Sequence, residues 1–154
     1  MTAPPVVAHS PHMLAELLVS TAMVLLTVLI HGTGMYGLAR LLRIEAREEA
    51  EEHIHPMSLR GVSVTLILVL GLFALHGIEI WLYAFVYLLL GALPTLPDAV
   101  YFSAITYATT GYNDDALNES WRMVAAIEGV NGIILLGWST AFFVSVVHRM
   151  GGSK

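Results

Sequence analysis

Thr106-Tyr107-Ala108-Thr109-Thr110-Gly111-Tyr112-Asn113-Asp114-Asp115 is the stretch that decides how the rest of the chain is read. It lies between two long apolar segments and follows a short apolar run opened by Pro97. Thr-Thr-Gly-Tyr supplies closely spaced backbone carbonyls and hydroxyls, with Gly111 free to adopt left-handed backbone angles. Asn113 follows, the residue type that best tolerates such angles after glycine, and then two carboxylates. Main-chain oxygens leading to an acidic mouth are the chemistry of a cation site. A polar turn joining two helices, stabilised by Asn-Asp turn chemistry, is the plainer alternative.

Around that stretch the 154-residue chain is 56% hydrophobic and 12% charged, with a mean hydropathy of +0.73. Soluble domains carry about one quarter charged residues, so this is the composition of an integral membrane protein. No cysteine is present, which excludes disulfide scaffolds, Cys-ligated zinc, iron–sulfur clusters and thiol catalysis. The net charge of −5 arises largely from the run Glu45 to Glu52. Seven basic residues without a patch give no support for a nucleic-acid partner. No Ser/His/Asp arrangement or nucleotide loop is visible, so neither an enzyme nor a bound cofactor is expected. Residues 1–12 hold no Lys or Arg, lack the basic start of a signal peptide, and are expected to form a short extracytoplasmic tail.

Three apolar segments, about 14–42, 61–93 and 121–147, each exceed the roughly 20 residues that cross a bilayer as a helix. The second is long enough to require tilt, a break near His76-Gly77, or extension past the headgroups. Pro94 and Pro97 are expected to stop one helix and start another, with Asp98 complementing the new N-terminus. The apolar stretch from Ala99 to Ala108 is too short to span, so a re-entrant loop is expected there. Six of the seven basic residues flank the first connection or follow the third segment, and only Arg122 falls on the other side. The positive-inside tendency then places the N-terminus outside, the C-terminus in the cytoplasm, and the re-entrant loop on the outer face.

Segment two, short helix, polar turn and segment three resemble the outer helix, pore helix, filter and inner helix of the tetrameric pore-loop cation channels. The likeness covers about residues 60–148 and is sharpest at Thr109-Thr110-Gly111-Tyr112-Asn113-Asp114, against Thr-Val-Gly-Tyr-Gly-Asp in potassium channels. Four of the six positions agree. The resemblance implies an all-α membrane protein: peripheral transmembrane helix 13–43, cytoplasmic charged connection 44–60, and pore module 61–148. Within that module it implies an outer helix 61–93, pore helix 97–108, filter 109–114 and inner helix 121–148. It further implies a homotetramer in the plasma membrane, of bacterial inner-membrane type, conducting monovalent cations with potassium favoured. Thr109 (hydroxyl and carbonyl), Thr110, Gly111 and Tyr112 would hold permeant potassium ions, with Asp114 and Asp115 at the mouth. Tyr101 and Phe102 fall where family members often carry an aromatic cuff, and Gly132 near a frequent hinge glycine. Thr110 in place of Val and Asn113 in place of Gly leave open a weakly selective or sodium-permeable channel.

Four ionisable residues lie inside the apolar segments, where they are costly and usually paired or functional: His31, His76, Glu79 and Glu128. Glu16 is expected to be wetted near the outer end of segment one. Glu128 is expected to support the back of the pore helix or filter through Thr106 or Thr110, with Asn131 joining. His76 and Glu79 share a helix face, and helical rise puts His31 within reach of them. A polar network tying segment one to the pore module is one reading of this trio. The other comes from a different functional class, a transporter of protons or of zinc-like divalent ions using His31, His76 and Glu79. A non-conducting membrane subunit is a third. The acidic run to His53 and His55 reads as a solvated helical extension.

Overall fold

A computed structural model describes residues 12–48, 58–111 and 117–151. Among these residues every regular element is helical. In chain order they are α1 (His12–Glu48), α2 (Leu59–Leu89), α3 (Leu96–Tyr107), a 3-10 turn (Glu119–Trp121) and α4 (Arg122–Gly151). Met13–Leu42, Gly61–Leu89 and Glu119–Arg149 are each long and apolar enough to cross a bilayer. The chain is an all-helical, multi-pass membrane protein.

The end of α2 is set by Gly91 rather than by the prolines. Gly91 sits at φ +63, its N–H donates to the Leu88 carbonyl, and the N–H of Ala92 donates to the Tyr87 carbonyl. That pair of bonds around a left-handed glycine closes a helix, so α2 stops at Leu89, four residues short of the expected Leu93. It runs unbroken through His76 and Gly77. Thr95 caps α3 by accepting from the Asp98 N–H, and its hydroxyl donates to the Asp98 carboxylate at 2.6 Å. The cap moves the start of α3 to Leu96, one residue ahead of Pro97.

Which residues meet fixes the direction of each helix. Gly34 lies against Leu75 and Gly71 against Leu38, so α1 and α2 are antiparallel, with small residues letting the backbones approach. Tyr87, Tyr83 and His76 of α2 meet Glu128, Asn131 and Ser139 of α4 in turn, so these two are antiparallel also. Ser103 and Tyr107 of α3 lie beside Glu128 and Gly132, which makes α3 parallel to α4. The short helix descends between α2 and α4 and ends level with Glu79, about 15 Å below the end of α2. By Asn118 the chain has returned, because that residue's N–H donates to the Ala92 carbonyl at 3.2 Å. The excursion is a re-entrant loop.

α1 packs on this module with one face. Glu16, Ser20, Met23, Thr27, His31 and Met35 are its buried residues, at the three- and four-residue spacing of a single helical stripe. Glu16 is only 8% exposed. The expectation that it is wetted is corrected by its place on this stripe. The central core is Tyr83, Ala84, Tyr87, Phe102, Val124 and Ala125, where α2, α3 and α4 converge.

Candidate functional site

α3 carries the quoted stretch down between α2 and α4 to the level of Glu79 and ends in a tight cap. Ala108 N–H donates to the Ala104 carbonyl, Thr109 N–H to that of Thr106, and the N–H groups of Thr110 and Gly111 both to that of Ile105. The Thr110 hydroxyl adds a longer bond to Ile105, at 3.4 Å. A cap of this kind needs a left-handed residue just past the helix. That residue is Thr109, at φ +54. A β-branched residue in that region costs about 1–2 kcal/mol, and such strain gathers at functional sites. Thr109, Thr110 and Gly111 are exposed. With Thr106 and Ala126, Gly129 and Ile133 of α4 they line an open groove of about 370 Å³. Tyr112, Asn113, Asp114 and Asp115 lie outside the described residues, as do residues 1–11 and the His53–His55 part of the acidic run.

Behind the tip stand two buried polar layers. In the upper one Glu128 is fully buried and accepts from the Tyr87 hydroxyl and the Ser103 hydroxyl, each at 2.5 Å. Glu128 therefore supports the short helix through Ser103, one turn above Thr106, and among the described residues makes no hydrogen bond to Thr106 or Thr110. The geometric reason is the parallel register of α3 and α4, which sets Ser103 beside Glu128 and the Thr106 carbonyl beside Gly129. The Thr106 hydroxyl oxygen is buried with no hydrogen-bond partner among the described residues. Asn131 turns the other way, donating to the Thr27 hydroxyl at 2.8 Å and the Tyr83 hydroxyl at 3.3 Å, and so fastens α1 to the module.

The lower layer brings together His31, His76 and Glu79, and adds Tyr107 and Ser139. His31 Nδ1 lies 2.9 Å from Glu79 Oε1. The Tyr107 hydroxyl donates to Glu79 Oε2 and lies 2.9 Å from His76 Nδ1. His76 Nε2 is 3.0 Å from Ser139 Oγ, which is 3.2 Å from His31 Nε2. His31 and Glu79 are 0% exposed, and the Trp138 ring packs against that of His31, tilted by 42° with centroids 5.4 Å apart. Two imidazoles and a carboxylate with donor atoms within 4.8 Å of one another have the composition of a divalent-ion site. Each of those donor atoms is already engaged by a neighbouring side chain. Tyr107 is the last residue of α3, so this layer holds the end of the short helix from beneath.

Gly132 has a packing reason to be glycine. A Cβ there would fall 2.2 Å from the Tyr107 carbonyl oxygen and 2.9 Å from its carbonyl carbon. Of the expected aromatic cuff, Phe102 is buried edge-to-face on Tyr87, whereas Tyr101 is 69% exposed on the opposite face of α3.

The sequence assigns no bonding role to Tyr107, Ser103, Thr27 or Ser139, and it offers Tyr83 and Tyr87 as candidate interfacial anchors, whereas both are 0% exposed in the core. A signal for several of them existed. Tyr83 and Tyr87 sit four apart in an apolar helix, and Thr27 and His31 continue the stripe begun by Glu16 and Ser20. Ser103 and Ser139 gave no such sign, because a lone serine in a membrane helix usually bonds its own backbone.

Residues 75–149 match a family model described as "Ion channel". No curated protein and no solved structure matches the chain. The matched range opens within α2 one residue before His76, takes in α3 and α4, and leaves α1 outside.

Proposed function

We propose, from the match of residues 75–149 to the family model described as an ion channel, that four copies of the chain enclose one passive path for monovalent cations, with potassium favoured. The carbonyls of Thr109, Thr110, Gly111 and Tyr112, with the Thr109 hydroxyl, replace the water of a dehydrated ion. Asp114 and Asp115, repeated four times, concentrate cations at the mouth. The chain lies in a plasma membrane with its N-terminus outside and its C-terminus in the cytoplasm, as the basic residues direct.

One observation carries this reading. A helix too short to span enters between α2 and α4, stops level with Glu79 about 15 Å below the end of α2, and leaves the residues after it, Thr109 to Gly111, exposed on a groove of a single chain. Irregular backbone at that depth is tolerated only where it is covered by protein or lines a water-filled path. One chain offers one set of carbonyls, whereas an ion needs a ring of them. Exposed Tyr101, Val130, Ile133 and Ile134 beside the groove are apolar surface for neighbouring copies.

Purified protein reconstituted in vesicles with opposed potassium and sodium gradients tests both conduction and preference. Four-fold particles with potassium flux exceeding sodium flux are expected. A monomer or two-fold dimer, or vesicles that pass neither ion, defeats the proposal. Equal fluxes would instead select the weakly selective channel, the reading that Thr110 and Asn113 favour.

A further inference from the structure

We propose that His31, His76, Glu79, Tyr107 and Ser139 form a buried binding site for one proton, shared around a closed ring of hydrogen bonds that fixes the end of the short helix. The inference rests on the geometry of a single chain and does not depend on conduction.

Five hydrogen bonds close the ring: His31 to Glu79, Glu79 to Tyr107, Tyr107 to His76, His76 to Ser139, and Ser139 back to His31. A longer approach of His76 Nδ1 to Glu79 Oε2, 3.4 Å, lies across it and shares the His76 hydrogen with Tyr107 rather than needing one of its own. Every polar side-chain atom of the five residues is used, and each of the five bonds needs one hydrogen. Tyrosine and serine carry one each, a neutral histidine one each, and an ionised carboxylate none. Four hydrogens cannot fill five bonds. The ionised, neutral-histidine form would also leave a net negative charge in a place where Glu79 and His31 are 0% exposed, which is costly in mid-bilayer. One added proton removes both defects. With it on His31, both imidazole N–H groups donate, to Glu79 and to Ser139. The Ser139 hydroxyl then donates to His76 Nε2, His76 Nδ1–H to the Tyr107 oxygen, and the Tyr107 hydroxyl to Glu79. All five bonds are made and the net charge is zero. Tyr107 keeps its own hydrogen throughout.

Every helix of the chain contributes to the ring or borders it. α1 presents His31, α2 presents His76 and Glu79, α3 presents Tyr107, and α4 presents Ser139, which does not titrate. The titratable groups next above the ring on α2 and α4 are Tyr83 and Glu128, and these are already bonded to Asn131 and to Tyr87 and Ser103. Below it on α4 the next is His148, nine residues beyond Ser139. His76, 13% exposed at its side chain, is the edge through which a proton enters and leaves.

The count yields an unusual expectation for Glu79→Gln. An amide carries an acceptor on one atom and a hydrogen on the other, so His31 donates to its oxygen and its N–H donates to the Tyr107 oxygen. The Tyr107 hydroxyl then donates to His76, His76 to Ser139, and Ser139 to His31. The ring is complete, neutral, and has no proton to lose. Thermal melting of the purified chain in detergent, from about pH 5 to about pH 9, compares wild type, Glu79→Gln and Glu79→Ala. Wild type should melt about 10 °C lower once the proton is gone at the alkaline end, as a buried charge is left uncompensated. Glu79→Gln should match wild type at the acid end and stay level across the range, while Glu79→Ala melts low throughout. Three results would each overturn the proposal. Glu79→Gln melting as low as Glu79→Ala at the acid end would show an ordinary ion pair. Glu79→Gln retaining the alkaline drop would place the titrating proton elsewhere. A rise in wild-type melting with added zinc, reversed by a chelator and absent in Glu79→Gln, would make the site one for a metal ion.

Discussion

Replacing Gly132 by alanine tests how tightly the short helix is held. The added Cβ would lie 2.2 Å from the Tyr107 carbonyl oxygen, 2.9 Å from its carbon and 3.1 Å from its Cα. Carbon and oxygen sit comfortably at about 3.3 Å, so one backbone must retreat by about 1 Å. Neither side of the contact is a flexible side chain. Tyr107 cannot yield easily either, because its hydroxyl is bonded to Glu79 and His76 beneath it. Overpacking of this kind costs about 1–3 kcal/mol, offset by up to about 1 kcal/mol from alanine's better helix propensity. The net effect is a melting temperature lower by a few degrees. The effect on permeation should be larger, since the displaced residue is two before Thr109. Two other glycines calibrate the measurement. Gly129→Ala places its Cβ 3.4 Å from the Thr106 carbonyl and should be mild, and Gly37→Ala, with nothing within 4 Å, should be neutral or stabilising. Melting in detergent and the potassium-to-sodium flux ratio in vesicles would be measured for all three. If Gly132→Ala melts no lower than Gly37→Ala and keeps the wild-type flux ratio, the close contact does not position the filter. If it alters only the open time, with melting unchanged, Gly132 acts as a hinge.

Other outcomes follow from the same geometry. Glu128→Ala removes the carboxylate that accepts from the Tyr87 and Ser103 hydroxyls, leaving Ser103 its 2.9 Å bond to the Ile80 carbonyl, and should destabilise the chain by about 1–3 kcal/mol. Glu128→Gln, which can accept from Tyr87 and donate to Ser103, should stay within about 0.5 kcal/mol of wild type by melting, and equal losses would deny Glu128 a supporting role. A double-mutant cycle of Thr27→Val and Asn131→Leu should report a coupling of about 0.6 kcal/mol, the usual size of a hydrogen bond between membrane helices. A coupling indistinguishable from zero would mean that this bond does not help to hold α1. Asn113→Gly, which restores the glycine found in potassium channels, should raise the potassium-to-sodium flux ratio several-fold, and an unchanged ratio would clear Asn113 of limiting selectivity.

The sequence by itself determined the layout. Three apolar segments of spanning length and one too short to span, set off by Thr95, Pro97 and Asp98, leave a re-entrant loop as the arrangement that satisfies the backbone in lipid. Helix lengths and caps are local properties, so they can be read from neighbours in the chain. Even there one cap was misjudged, because Gly91 ends α2 through bonds that a proline-based reading overlooks. The sequence also marked His31, His76, Glu79 and Glu128 as residues that lipid would not tolerate unpartnered. What it could not supply was the partner of each. That depends on the register between helices far apart in the chain, and a shift of one turn moves a contact by about 5.4 Å. Only the tertiary structure turned Glu128 toward Ser103 rather than Thr106, gave Asn131 to Thr27, and put Tyr107 and Ser139 between two histidines. Tertiary packing likewise put the left-handed angle at Thr109 and gave Gly132 a carbonyl to accommodate, because backbone proximity is set where helices cross and leaves no period in the sequence.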